Sequence, residues 1–317
     1  MINPIDELLE GLQSPHTLIV IGKGGVGKTT VSVLLADRLS REGKTLLVSL
    51  DPAKHLVEYL GIRGPLKVEE VSANLYAMQV DIGALASKLS NEYADLLRQV
   101  TPGLRILGLE DVVKAVRYAP GFEEEIYLRV LRDLYGKEYD YVVVDTPPTG
   151  LTHRILTLPG LYVFWLEKLI DLRTKIVSLR YAISRAMGQK IEPRDPVLSK
   201  LHKLKEEYEG LNRALRSSDR TSYILVTTPE PLPVYETRST MEMLDMLKVK
   251  PRAIIVNKIL PKEIAEELGV ARIAEETLKE LREIDCGGCL KLGIGYHRRT
   301  PRTLDEAREL LDMIIKL

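Results

Sequence analysis

Residues 22–29 read Gly22-Lys23-Gly24-Gly25-Val26-Gly27-Lys28-Thr29, and no other stretch constrains the fold so tightly. The spacing G-x-x-x-x-G-K-[ST] belongs to loops that wrap a chain of phosphates. The glycines let successive backbone N–H groups turn inward toward phosphate oxygens. Lys28 is placed to reach the β- and γ-phosphates of a nucleotide, and the Thr29 hydroxyl to ligate Mg2+. Such a loop needs a buried strand before it and a helix after it, whose N-terminus adds partial positive charge. The sequence supplies both. HTLIVI at 16–21 is an unbroken apolar run, the pattern of a strand buried on both faces. Residues 30–40 repeat apolar side chains at helical spacing. Gly22, Lys23, Gly24, Gly25, Val26, Gly27, Lys28, Thr29 and Thr30 are therefore the expected contacts to ATP.

Further apolar runs at 45–50, 75–80, 139–144, 223–227, 253–256 and 290–294 alternate with helical patterns. That rhythm predicts an α/β fold: a mostly parallel sheet with helices on both faces, in the manner of P-loop nucleotidases. Two long stretches interrupt it. Residues 91–137 and 159–219 lack a strand signal and are rich in Leu, Val and Ile. They are expected to form an α-helical subdomain, with 1–90, 138–158 and 220–317 forming the nucleotide-binding domain. A single phosphate loop excludes a tandem duplication.

Two aspartates follow buried strands. A carboxylate there faces the ligand crevice of a parallel sheet. Asp145, closing DYVVVD, is expected to hold Mg2+ through water. Asp51, after TLLVSL, is expected to orient the attacking water, with a helix N-cap as its alternative role. Residues 146–150 (TPPTG) read as a switch loop in which Gly150 absorbs backbone change.

Forty-five basic residues balance 45 acidic ones, so no net field draws the chain to nucleic acid. The N-terminus is acidic and lacks a signal-peptide pattern. No apolar run is long enough to span a bilayer. A cytoplasmic location is expected. The two cysteines, Cys286 and Cys289, form CGGC, which argues against a disulfide scaffold and for a metal or redox site. Two thiolates make half of a tetrahedral zinc set, completed by a partner subunit across a two-fold axis. A redox dithiol or an iron–sulfur cluster are the alternatives.

The helical stretches carry apolar stripes. Trp165, Leu169, Leu172, Ile176, Leu179 and Ile183 recur at helical spacing, widened by Val163, Leu166, Ile170 and Val177. Ile106, Leu107, Leu109, Val112, Val113 and Val116 make a second. Such stripes either pack on one another or form a binding surface for an apolar partner.

The form GKGGVGKT, with Lys23 early in the loop, resembles the deviant Walker A branch of P-loop ATPases. DPAKHLVEYLG, DTPPTGLTHRILTLP, the block PEPLPVYET at 229–237 and Asn257 after the strand AIIV narrow the resemblance. In order and spacing they are similar to the blocks of the arsenite-pump (ArsA) and tail-anchored-protein targeting ATPase family. That resemblance implies ATP hydrolysis in a homodimer, with Lys23 crossing to the partner's nucleotide and Asn257 at the adenine. It also implies zinc shared by the CxxC pairs, and helical subdomains joined into a groove for the single transmembrane helix of a client, delivered to a membrane receptor. The sequence departs from the family at Lys54-His55, at His153 and in the ending GIGYHRRTP. An Mrp-type iron–sulfur carrier would explain CGGC but not the apolar insertions. An arsenite pump usually has two fused halves and further cysteines.

Overall fold

Apolar runs flanked by amphipathic helices fold here as one nine-stranded sheet in the order β3-β4-β2-β5-β1-β6-β7-β8-β9. The computed structural model describes residues 3–52, 55–100, 121–188, 195–297, 299 and 301–317. In chain order the elements are α1 (Pro4–Leu9), β1 (His16–Ile21), α2 (Lys28–Leu39), β2 (Thr45–Ser49), α3 (His55–Leu60), β3 (Glu69–Ser72), β4 (Leu75–Gln79), α4 (Ile82–Val100) and α5 (Phe122–Tyr135). Then come β5 (Tyr141–Asp145), α6 (Thr149–Ala186), α7 (Pro196–Arg216), β6 (Thr221–Thr227), α8 (Pro231–Met246), β7 (Pro251–Ile259) and α9 (Lys262–Glu267). The chain closes with α10 (Ala271–Glu283), β8 (Leu290–Gly295), α11 (Leu304–Glu309), a 3-10 turn (Leu310–Met313) and β9 (Ile314–Lys316).

All pairings are parallel except those of the outermost strands, β3 on β4 and β9 on β8. Side chains alternate across the sheet, so β1 feeds two cores. Ile19 and Ile21 face the layer holding Leu128, Leu131, Leu156, Leu211 and Val234. Leu18 and Val20 face Ile5, Leu8, Val31, Leu35 and Ala307. The mostly parallel, doubly covered sheet agrees with the expectation from sequence.

Some boundaries differ. The short edge strands β3 (EEVS) and β9 (IIK) carry no long apolar run and escape a search for buried strands. Helices α9 and α10 are parted at Gly269, whose φ of 68° no helix tolerates. Thr149 and Gly150, read as switch loop, lie in the first turn of α6. The expected borders 90/91 and 158/159 both fall within continuous helices, α4 and α6. Tyr127, Leu128 and Leu131 of α5 pack directly against the sheet.

Helix α6 runs 38 residues with Pro159 inside it. It pairs with α7 as a hairpin. The rings of Tyr162 and Tyr208 lie 4.9 Å apart near its base. Lys205 reaches Glu167 at 3.0 Å and Arg173 reaches Asp195 at 2.7 Å, while Asp195 also caps α7 by accepting from Leu198 N–H at 2.8 Å. Leu166 is buried and Val163 packs on the core. Trp165, Leu169, Leu172, Ile176, Leu179 and Ile183 are all exposed, Trp165 by 60% and Leu179 by 65%. The stripe at 106–116 lies outside the described residues. Among the described residues, no helix is long and apolar enough to cross a membrane.

Candidate nucleotide site

The C-terminal end of β1 releases the phosphate loop, and α2 begins at Lys28. Gly25 and Gly27 hold φ values of 84° and 97°, which a side chain resists. A Cβ on Gly22 would lie 2.2 Å from the Val226 carbonyl oxygen, and one on Gly27 2.2 Å from the Asn257 amide nitrogen. These two positions leave room for no other residue.

Lys28 is buried, and its ammonium donates to the Lys23 carbonyl at 3.3 Å. Burial pulls its pKa below the ordinary lysine value, opposed by the charges of Asp145, Asp51 and Glu236. Removing water from this ammonium strengthens its attraction for an incoming phosphate. The Thr29 hydroxyl donates to Asp145 Oδ2 at 2.8 Å, and Ser49 donates to the same oxygen at 3.2 Å. Asp145 is wholly buried. Burial pushes its carboxyl up to about 6, against the Thr29 hydrogen bond and the Lys28 charge. Its other oxygen, Oδ1, is buried without a hydrogen-bond partner. An orphaned acceptor beside a threonine hydroxyl offers the hard oxygens that Mg2+ asks for. The residues present fit the ion.

Asp51 follows β2, its N–H donating to Ser49 Oγ at 3.3 Å and its carbonyl accepting from Gln79 at 2.9 Å. It lines a cavity of about 770 Å³ together with Gly25, Gly27, Lys28, Thr29, Thr30 and Asn257. Six of the expected site residues and Asp51 thus share one cleft at the C-terminal ends of the strands. Lys54, where with His55 the sequence departs from the family pattern, lies outside the described residues. Lys23 is half-buried, and its carbonyl holds Lys28. Asn257 donates through its amide to the Val26 carbonyl at 2.9 Å, bracing the loop from β7.

The segment after β5 is bonded on both sides. Thr146 donates to the Val20 carbonyl at 2.7 Å, and Thr152 to the Pro147 carbonyl at 2.8 Å. Thr149 donates to Glu236 of α8, and His153 Nε2 pairs with Thr240 Oγ1 at 3.0 Å. Burial lowers the His153 pKa, opposed by Glu236. The first turns of α6 are thereby bolted to α8.

The sequence search missed Tyr59, Lys258, Tyr296, His297 and Arg302, which line the same cavity, and it missed Glu236 as the partner of Thr149. The rule that strand C-termini face the crevice would have flagged Lys258 and Tyr296, which end β7 and follow β8.

The cysteines depart from expectation. The sulfurs of Cys286 and Cys289 are joined as a disulfide, 2.05 Å apart. Bonded sulfurs lack the thiolate charge that a zinc ligand needs. Among the described residues no three His, Cys, Asp or Glu side chains gather as a metal-holding group. In this bonded state the pair offers zinc no thiolate, whereas the redox dithiol, the alternative reading, accommodates the bond.

The family model described as anion-transporting ATPase matches residues 16–285. A protein of Aquifex aeolicus, provisionally named arsenical pump-driving ATPase 2, is 31% identical over 83% of this chain and 86% of its own. The ATPase GET3A of Arabidopsis thaliana is 33% identical over 78% of this chain and 68% of its own. The ATPase ASNA1 homolog of Dictyostelium discoideum is 32% identical over 77% and 72%.

Proposed function

The chain belongs to the anion-transporting ATPase family and hydrolyses ATP with Mg2+, and from that premise we propose that it is a targeting factor for tail-anchored membrane proteins. As a homodimer in the cytoplasm it shields a client's single transmembrane helix and releases it at a membrane receptor. ATP binding and hydrolysis switch it between these states.

The observation that carries this reading is the bare stripe on α6. An apolar surface this long is a liability unless it has an occupant. From Leu161 to Ile183 it spans about 33 Å at 1.5 Å per residue. A transmembrane helix crosses a hydrocarbon core of about 30 Å. The stripe and the proposed client are matched in length. Polar pairs such as Lys205–Glu167 and Arg173–Asp195 lie beside it on the hairpin.

In this reading each site residue has one task. Lys28 draws on the β- and γ-phosphates, and Lys23 reaches the nucleotide of the partner subunit. Gly22, Gly24, Gly25, Val26, Gly27 and Thr30 cradle the phosphates, and Asn257 braces the cradle at its adenine end. Thr29 and, through water, Asp145 hold Mg2+, which when bound neutralises charge on the phosphate oxygens. Asp51 holds the attacking water in line. Movement at 146–148 passes into α6 through Thr149, and so into the stripe.

The test mixes purified protein with a soluble reporter bearing one hydrophobic C-terminal helix. Capture is scored without nucleotide, with ADP and with ATP, alongside Lys28→Ala. Capture that depends on ATP and disappears in Lys28→Ala supports the reading. Intact ATP hydrolysis with no capture in any state overturns it.

A further inference from the structure

Where β2 leaves the sheet, the chain is steered by a side chain of the neighbouring strand. Ser49 stands opposite Asp145 on one side and Gln79 on the other. The Leu50 N–H still donates to the Asp145 carbonyl at 2.8 Å, and the Val80 N–H to the Ser49 carbonyl at 2.9 Å. One residue further on, Asp51 has left the ladder, and its backbone groups need partners elsewhere. Its N–H turns to Ser49 Oγ at 3.3 Å. Its carbonyl accepts from Gln79 Nε2 at 2.9 Å.

Gln79 closes β4 and is fully buried. The same Nε2 lies 3.4 Å from the Ser49 carbonyl and 3.5 Å from the Val80 carbonyl. An amide nitrogen ringed by carbonyl oxygens can point only this way, because its oxygen would be repelled there. The other end of the amide, Oε1, is buried with no hydrogen-bond partner among the described residues. An orphaned buried acceptor costs stability, and an apolar side chain of equal length would avoid that cost. What the amide contributes instead is its grip on Asp51.

That grip ends a continuous line of hydrogen bonds. Thr29 and Ser49 both donate to Asp145 Oδ2, Asp51 N–H donates to Ser49 Oγ, and Gln79 donates to the Asp51 carbonyl. The metal-side carboxylate and the aspartate beside it therefore hang on one string, whose outer end is Gln79. With no exposed surface, Gln79 does not meet the nucleotide itself and acts through Asp51.

We propose that Gln79 is a positioning residue for hydrolysis: by holding the Asp51 carbonyl it sets where the Asp51 carboxylate stands relative to Asp145. The inference rests on the reading of Asp51 as the group that orients the attacking water.

The test compares full-length wild type, Gln79→Met, Gln79→Asn, Asp51→Asn and the double variant Gln79→Met with Asp51→Asn. Methionine matches the length of glutamine and lacks the donor. Asparagine keeps the amide but falls one methylene short of the carbonyl. Steady-state kcat with ATP and Mg2+ is measured beside equilibrium ATP binding. Misplacing the water-orienting group should lower kcat about tenfold in both Gln79 variants. ATP binding should stay within about twofold of wild type, since no phosphate contact is touched. Adding Gln79→Met to Asp51→Asn should lower kcat no further, because a residue acting through Asp51 has nothing left to act on. Wild-type kcat in either Gln79 variant overturns the proposal. So does ATP binding that weakens in step with kcat, or a further loss in the double variant, since each makes Gln79 a general support of the fold. Unchanged kcat in Asp51→Asn removes the reading of Asp51 itself, a failure that this single variant shows before Gln79 is considered.

Discussion

The two ends of α6 obey opposite rules. Near its start, Thr149 and Thr152 are buried and hydrogen-bonded, and Ile155 and Leu156 are buried in the core. Beyond Pro159, the side chains from Leu161 to Ile183 that face away from α7 stay in water though they are just as apolar. One helix thus carries a segment whose burial stabilises the fold and a segment held in reserve. Hydrophobicity alone does not say which is which. What separates them is whether another element of the same chain is available to cover the face.

The largest expected effect lies in the nucleotide cleft rather than on α6 itself. Lys28→Ala should lower ATP turnover at least about a hundredfold, because a preorganised charge at the phosphates is lost. Steady-state hydrolysis checks this, and thermal stability without nucleotide should be little changed. The next variants contrast the two ends of α6 directly. Leu156→Ala should destabilise by about 2–5 kcal/mol, as truncations in packed cores do. Leu172→Ser, on the stripe, should shift stability by no more than about 0.5 kcal/mol. Denaturant melts measure both, and equal losses would mean that the stripe is packed in solution. The same Leu172→Ser protein should still hydrolyse ATP while capturing less of the helical reporter.

The smallest effect is a pH dependence confined to the buried end. Burial holds the His153 pKa below its ordinary 6.5, so the unfolded chain takes up a proton there more readily than the folded one. The sign follows: its contribution is complete above pH 6.5 and is lost as pH falls below it. Melting temperatures at pH 8 and pH 5.5 should fall less between the two for His153→Gln than for wild type. A stripe variant should show the wild-type dependence. Identical pH profiles for wild type and His153→Gln would remove the histidine from the account.

What could be read in the sequence follows the same division. The central strands were legible because a strand buried on both faces is written as an unbroken apolar run, as in HTLIVI and YVVV. The phosphate loop was legible because its glycines answer to local backbone geometry. The edge strands EEVS and IIK were not, since a strand covered on one side needs no such run. Helical spacing picked out Trp165 through Ile183 as one face but carried no information about its cover. Lys258 and Tyr296 sit at strand ends, where the crevice rule points, but the bulge at Lys258 depends on the neighbouring strand rather than on local pattern. For Cys286 and Cys289, spacing alone could not separate two metal-binding thiolates from a bonded pair.

The bolted base of α6 gives the helix a gear ratio. At 1.5 Å per residue the whole helix is about 57 Å long, so a rotation of about 5° around Thr149 would swing its tip by roughly 5 Å. A small displacement at the phosphates, once carried into α6, would arrive at the far end magnified to the width of a side chain. Pro159 supplies no backbone N–H just before the exposed stripe opens at Leu161. The lever is therefore weakest just past its fulcrum. Stiffness at that one turn sets how much of the motion is delivered and how much is lost in bending.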